Sequence, residues 1–209
     1  MVFDDVDDAQ LAAMDTAGIQ VTLVAWTARG TGEGELERGD REVGRLQVQH
    51  LVARGHRRLG YAWPEDPRLE AFARPRLAGV EAACRAHGLP APQVRTVAVS
   101  EDSARAAIAE WREAAPAITG VCAYNDVTAL AIMHGMHRLG LSAPADLAII
   151  GVDDLPVSAV AEPPLTTLNY DRSETAERLA AAVDLAIATG TRPAISLDGL
   201  IRLVERQTT

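Results

Sequence analysis

Lysine is absent from this 209-residue chain, and all 20 of its basic residues are arginine. With 29 acidic residues the formal charge is −9, and the one basic concentration is Arg54-Gly55-His56-Arg57-Arg58. A DNA-binding face needs concentrated positive charge, so this stretch of chain is not expected to hold DNA tightly by itself. Cysteine is nearly lacking too. Cys84 and Cys122 sit among apolar neighbours with no partner at metal-ligand spacing, which points to two reduced core thiols and away from a disulfide framework. No apolar run reaches membrane-spanning length, and Met1-Val2-Phe3-Asp4-Asp5 has neither the basic start nor the apolar stretch of a secretory signal. The expected setting is the cytoplasm, with no membrane contact. His134 and His137 stand at i and i+3 on one helix, but no carboxylate or cysteine completes a metal set beside them. Nucleophile motifs and glycine-rich phosphate loops are also missing, so neither catalysis nor a metal or cofactor is expected.

What is present is a large apolar share, 48 % of the residues, in a strict alternation of short β-branched runs and longer amphipathic segments. Asp8 to Ala17 reads as a helix ended by Gly18, and Ile19 to Val24 as a strand. Residues 28–40, rich in glycine and charge, read as a loop. The pattern continues with a helix over Val43 to Ala53, a strand over Arg58 to Ala62, a helix from Glu70 to His87 and a strand from Val94 to Val99. Ser100 is placed to cap a helix over Glu101 to Glu113. Strand Gly120 to Ala123, helix Asp126 to Leu139 and strand Leu147 to Ile150 follow, then a helix from Ser173 to Ala188 and short strands near Ile195 and over Leu200 to Val204. Alternating βα units of this length imply an α/β fold with doubly wound, mostly parallel sheets.

Three polar stretches fall where apolar segments give way to turns: Tyr124-Asn125-Asp126, Gly151-Val152-Asp153-Asp154, and Pro163-Pro164-Leu165-Thr166-Thr167. Open α/β sheets bind small ligands at their strand carboxyl ends. Asp153 can accept two hydroxyl hydrogen bonds, Asn125 can donate and accept at once, and Arg76 offers a rigid donor fork. Each has a structural alternative. Asn125 stands where a helix cap would, Asp126 suits the positive end of the same helix, and Arg76 could serve in an ion pair. Asp154 could cap its turn or meet a ligand. Trp63 and Phe72 could stack on a sugar ring or base, Trp63 alternatively packing a hinge. Tyr170 could close the floor of a cleft through its hydroxyl. Asn125 and Asn169 are the only asparagines in the chain.

Five segments in order resemble the lactose/galactose repressor family: His50-Leu51-Val52-Ala53-Arg54-Gly55-His56-Arg57-Arg58, Arg76-Leu77-Ala78-Gly79-Val80, the three polar stretches, and Arg202-Leu203-Val204-Glu205-Arg206 at the end. The resemblance covers nearly the whole chain. It implies a periplasmic-binding-protein-like fold of two lobes joined by crossover strands, with a small-molecule effector, of sugar or nucleoside class, in the cleft. Arg76, Asn125 and Asp153 match positions where the family contacts effector hydroxyls. The implied lobes are residues 1–61 plus 168–189, an incomplete amino-terminal lobe, and residues 62–167 plus 190–209, the carboxyl-terminal lobe. The implied partners are a second copy of the chain and, through a helix-turn-helix headpiece absent from this sequence, DNA. A solute-binding protein of a sugar transporter shares the fold and is the alternative function. An enzyme using Asp153 and Asp154 as acid and base is a second.

Overall fold

The computed structural model describes residues 8–18, 35–190 and 199–209. In chain order the elements are α1 (Asp8–Thr16), α2 (Glu35–Ala53), β1 (Leu59–Pro64), α3 (Glu70–Ala86), β2 (Gln93–Val97), α4 (Glu101–Glu113), β3 (Gly120–Ala123), α5 (Asp126–Arg138), β4 (Ala148–Val152), α6 (Pro156–Val160), β5 (Thr167–Tyr170), α7 (Arg172–Thr189) and β6 (Ile201–Val204). The strands form one sheet in the order β2-β1-β3-β4-β5-β6. Neighbours pair in parallel throughout, except that β6 runs antiparallel to β5.

The short apolar runs become strands because both of their faces are covered, as in a doubly wound sheet. Successive residues alternate between two cores. Ala62, Val121 and Ile149 join Ile108, Trp111, Ile132 and Met136 under α4 and α5. Tyr61, Cys122 and Ile150 join Val43, Leu51 and Val80 under α2 and α3. Both cysteines lie buried as free thiols in that second core. Among the described residues no helix is long and apolar enough to cross a membrane.

α2 and α3 approach unusually closely. A Cβ on Gly44 would collide with the Arg76 carbonyl, and one on Gly79 with the Arg41 carbonyl, so backbone packs directly on backbone. That contact crosses the middle of α2 over the middle of α3.

Several expectations shift. Residues 35–40, expected in a loop, form the first turns of α2. The pair Arg41–Glu37 at 3.1 Å supports this helix internally, and packing on α3 outweighs the cost of Gly39, about 1 kcal/mol against alanine. α6 and β5 were not expected from the periodicity, being short and flanked by prolines. The boundaries drawn at 61/62 and 167/168 fall inside β1 and β5, whose pairings run on across them, and α2 packs on the same sheet. The expected strands over 19–24 and near 195 lie outside the described residues. Ser100 caps α4 as expected, accepting from the Ser103 amide.

Two histidines at the carboxyl end of α2 and beyond it are tied to threonines. His50 Nε2 lies 2.7 Å from Thr209 Oγ1, and His56 Nδ1 lies 3.0 Å from Thr119 Oγ1. Burial lowers the pKa of both imidazoles, and the nearby Arg54 and Arg57 charges lower them further. The unfolded chain therefore takes up protons first on acidification, and stability present at neutral pH is lost as the pH falls. The melting temperature should drop between about pH 7 and about pH 5.5, and the double variant His50→Gln/His56→Gln should flatten that slope. An unchanged slope in the variant would assign the titration to other groups.

Candidate functional site

The strand order changes direction between β1 and β3, and the crevice of such a sheet opens at the carboxyl ends of the strands. Trp63 stands at the end of β1, Tyr124 and Asn125 follow β3, Asp153 and Asp154 follow β4, and Tyr170 ends β5. Arg76 comes in from α3 and Asp40 from α2.

The centre of this end is a buried ion pair. Arg76 Nε donates to Asp40 Oδ1 at 2.7 Å, with residue exposures of only 7 % and 5 %. Arg76 Nη1 donates to the Tyr124 carbonyl at 2.8 Å, and its guanidinium lies 4.7 Å from the Tyr124 ring centroid in a cation–π contact. The Tyr170 hydroxyl makes a long bond, 3.4 Å, to Asp40 Oδ1. Burial raises the Asp40 carboxyl above its ordinary range, against the pull of Arg76. Burial works against the Arg76 charge, but Asp40 together with Tyr170 and Tyr124 more than offsets it, so the guanidinium stays charged. Burial pushes Tyr124 up to about 12, and Tyr170 is raised likewise; the Asp153 carboxylate acts on both phenols in the same direction.

The aspartates divide sharply in role. Asp126 is fully buried at the start of α5. Its Oδ2 accepts from the Leu155 amide at 2.8 Å and the Ser158 hydroxyl at 2.6 Å, and its Oδ1 from the Thr167 hydroxyl at 2.5 Å. It staples α5, α6 and β5 together, a larger task than favouring the helix dipole. Gly151 makes room for it, since a Cβ there would strike Asp126 Oδ1. Asp154 is committed to structure as well: Oδ1 accepts from Arg206 Nη2 at 2.6 Å and Oδ2 from Asn169 Nδ2 at 2.9 Å. Asp153 is half-buried, and its amide donates to the Leu168 carbonyl at 2.8 Å. Its φ of 105° and that of Asp154, 48°, both lie in the region that side chains rarely adopt.

Asn125 is a helix cap: its Oδ1 accepts from the Thr128 amide and hydroxyl, both at 3.0 Å. Trp63 is partly buried with its ring centroid 6.4 Å from that of Tyr61, and Trp63, Phe72 and Tyr170 all pack against the core beneath α2 and α3. Asp40, Gln47 and Arg206 are the residues that the sequence reading missed. Gln47 is wholly buried, donating from Nε2 to the carbonyls of Ala123 at 2.8 Å and Ile150 at 3.2 Å, where the β3–β4 pairing ends. Its spacing from Asp40 and Val43 on one face of a longer helix is the signal that could have exposed both polar residues.

The arrangement offers fixed acceptors and donors at a crevice. Comparisons with known proteins agree with this fold. A family model described as a periplasmic binding protein-like domain matches residues 48–209. The ribose operon repressor of Escherichia coli (strain K12) is 30 % identical over 158 residues, covering 73 % of this chain and 45 % of the repressor. A solved complex of the transcriptional regulator CelR with cellobiose superposes with a TM-score of 0.71 at 28 % identity, covering 97 % of this chain and 63 % of that one. The lac repressor dimer bound to operator and an anti-inducer gives a TM-score of 0.66 at 27 % identity, over 81 % of this chain and 58 % of that one. The chain spans less than half the length of such curated relatives, 45 % in the ribose repressor and 37 % in the CelR regulator of Thermobifida fusca. The likeness to lactose/galactose-type repressors expected from the five motifs is borne out.

Proposed function

The chain belongs to the family of periplasmic binding protein-like domains, and from that premise we propose that it is the effector-sensing module of a bacterial transcriptional regulator, answering to a sugar or nucleoside. The observation that carries this reading is the half-buried Asp153, held at a rare backbone angle at the strand carboxyl ends, the end at which Tyr124 and Tyr170 also stand. A carboxylate accepts paired hydroxyls, and neighbouring phenols and the Asn125 amide add donors. Trp63 and Phe72 supply apolar faces for a ring, and Arg76 sets the back wall from within its ion pair. Residues 35–170 with 199–209 make one lobe, and α1 and α7 belong with the other. The effector binds one arrangement of the lobes more tightly and shifts that population, and in a cytoplasmic homodimer the shift reaches a DNA-binding headpiece. The module is a sensor and has no catalytic step.

The test is a melting screen of the full chain against sugars and nucleosides, where a ligand at about 100 times its Kd adds roughly 2.7 kcal/mol of stability. Asp153→Ala should weaken the ligand found in this way about 10- to 100-fold, since hydrogen bonds to a charged group contribute roughly 1.5–3 kcal/mol. Titration calorimetry giving an unaltered affinity would remove Asp153 from the site.

A further inference from the structure

Two successive non-glycine residues with positive φ need something to hold them, because the free turn would relax toward negative φ. Asp154 is clamped from two sides, by Arg206 Nη2 at 2.6 Å on Oδ1 and by Asn169 Nδ2 at 2.9 Å on Oδ2. The Arg206–Asp154 pair is largely withdrawn from water, with 18 % of each side chain exposed. Arg206 is itself anchored twice more: its Nη1 donates to the Leu165 carbonyl at 2.8 Å and its backbone amide to Thr166 Oγ1 at 3.0 Å. The turn's other side is fixed by the Leu155 amide on Asp126. We propose that Arg206 is the positioning residue of the site: acting through Asp154, it holds the turn after β4 in the backbone conformation that sets Asp153 at the strand carboxyl ends, the end at which Tyr124 and Tyr170 also stand. This rests on the reading of Asp153 as a ligand group. It also ties the site to the segment after β6, so a displacement of that segment changes the turn first.

The guanidinium fork explains the residue type. One arm reaches Asp154 and the other the Leu165 carbonyl, a geometry that a lysine point charge cannot reproduce in full.

The experiment uses the full chain with Arg206→Gln, Arg206→Lys, Asp154→Asn and the double variant Arg206→Gln/Asp154→Asn. The first readout needs no ligand: the NMR coupling between the amide and Cα protons of Asp153, which reports φ. Arg206→Gln should move it, and Arg206→Lys should restore it in part. The second is calorimetric titration with cellobiose and with ribose. For whichever sugar binds, Arg206→Gln should weaken affinity about tenfold, or about 1.4 kcal/mol, and should add less than about twofold in the Asp154→Asn background. An unmoved Asp153 coupling, or a full additional loss in that background, would overturn the proposal. If Asp153→Ala leaves sugar binding intact, the ligand reading fails instead, while the coupling still decides on Arg206.

Discussion

Asp126→Ala is expected to be the most damaging single change in this chain, lowering stability by about 3–5 kcal/mol. Its carboxylate satisfies three donors, the buried hydroxyls of Ser158 and Thr167 and the partly buried Leu155 amide. A buried donor left without a partner costs roughly 1–3 kcal/mol, and the two hydroxyls can recover part of that by rotating. Against a typical stability of about 5–15 kcal/mol, the loss is a large fraction of the whole. Asp126→Asn keeps the shape but turns an amide NH2 toward groups that are themselves donors, so it should cost more than a neutral exchange. Denaturant unfolding gives the values directly. A cost under about 1 kcal/mol for the alanine variant would mean that water replaces the carboxylate without penalty, contrary to the burial described. Burial raises the Asp126 pKa although three hydrogen bonds pull the other way. The penalty of holding that charge is therefore present at neutral pH and eases on acidification.

The second large effect comes from a glycine pair, and its strength lies in a change of sign along one helix. Gly79→Ala puts a methyl group against the Arg41 carbonyl, and Gly44→Ala puts one against the Arg76 carbonyl. Neither obstacle is a side chain that can swing aside. The helices must separate, and separation pulls Asp40 from Arg76. Overpacking of this kind costs about 1–3 kcal/mol or more, against which the better helix propensity of alanine offsets about 1 kcal/mol. Each variant should therefore lose stability, by up to about 2 kcal/mol and by more where the backbones cannot yield. Gly39→Ala, five residues before Gly44 in α2, meets nothing within 4 Å and should gain about 0.5–1 kcal/mol. Thermal melts of the three variants check this together; the same sign at Gly39 and Gly44 would refute the close crossing.

Local chemistry was legible in the sequence, and partnership across distance was not. Ser100 and Asn125 could be read as caps because the groups they satisfy lie three residues away. Tyr124–Asp126 and Gly151–Asp154 were placed correctly at the ends of β3 and β4, because a parallel strand must hand over to its helix there, whereas Pro163–Thr167 leads into the start of β5. Asp126 was read for its place on a helix, yet its partners lie 29 to 41 residues away, and no periodicity encodes them. Asp154 was left open between two roles, and the residue that decides, Arg206, is 52 positions away. Asp40 went unnoticed because glycine and charge around residues 28–40 mimic a loop, whereas packing on α3 makes residues 35–40 helical. Arg76 was expected to offer its donor fork to a ligand or to serve in an ion pair. Two of its arms are engaged by Asp40 and Tyr124, a pair that only the folded chain assembles.

α2 carries Asp40 near its start, Gln47 at its middle and His50 near its end, where His50 meets Thr209, and Arg54 in the turn just after it pairs with Glu205. From Asp40 to Ala53 the axis measures about 20 Å at 1.5 Å per residue. Mechanically, α2 is a strut laid across the sheet, tied at the strand carboxyl ends through one ion pair and, just past its own end, to the tail through another.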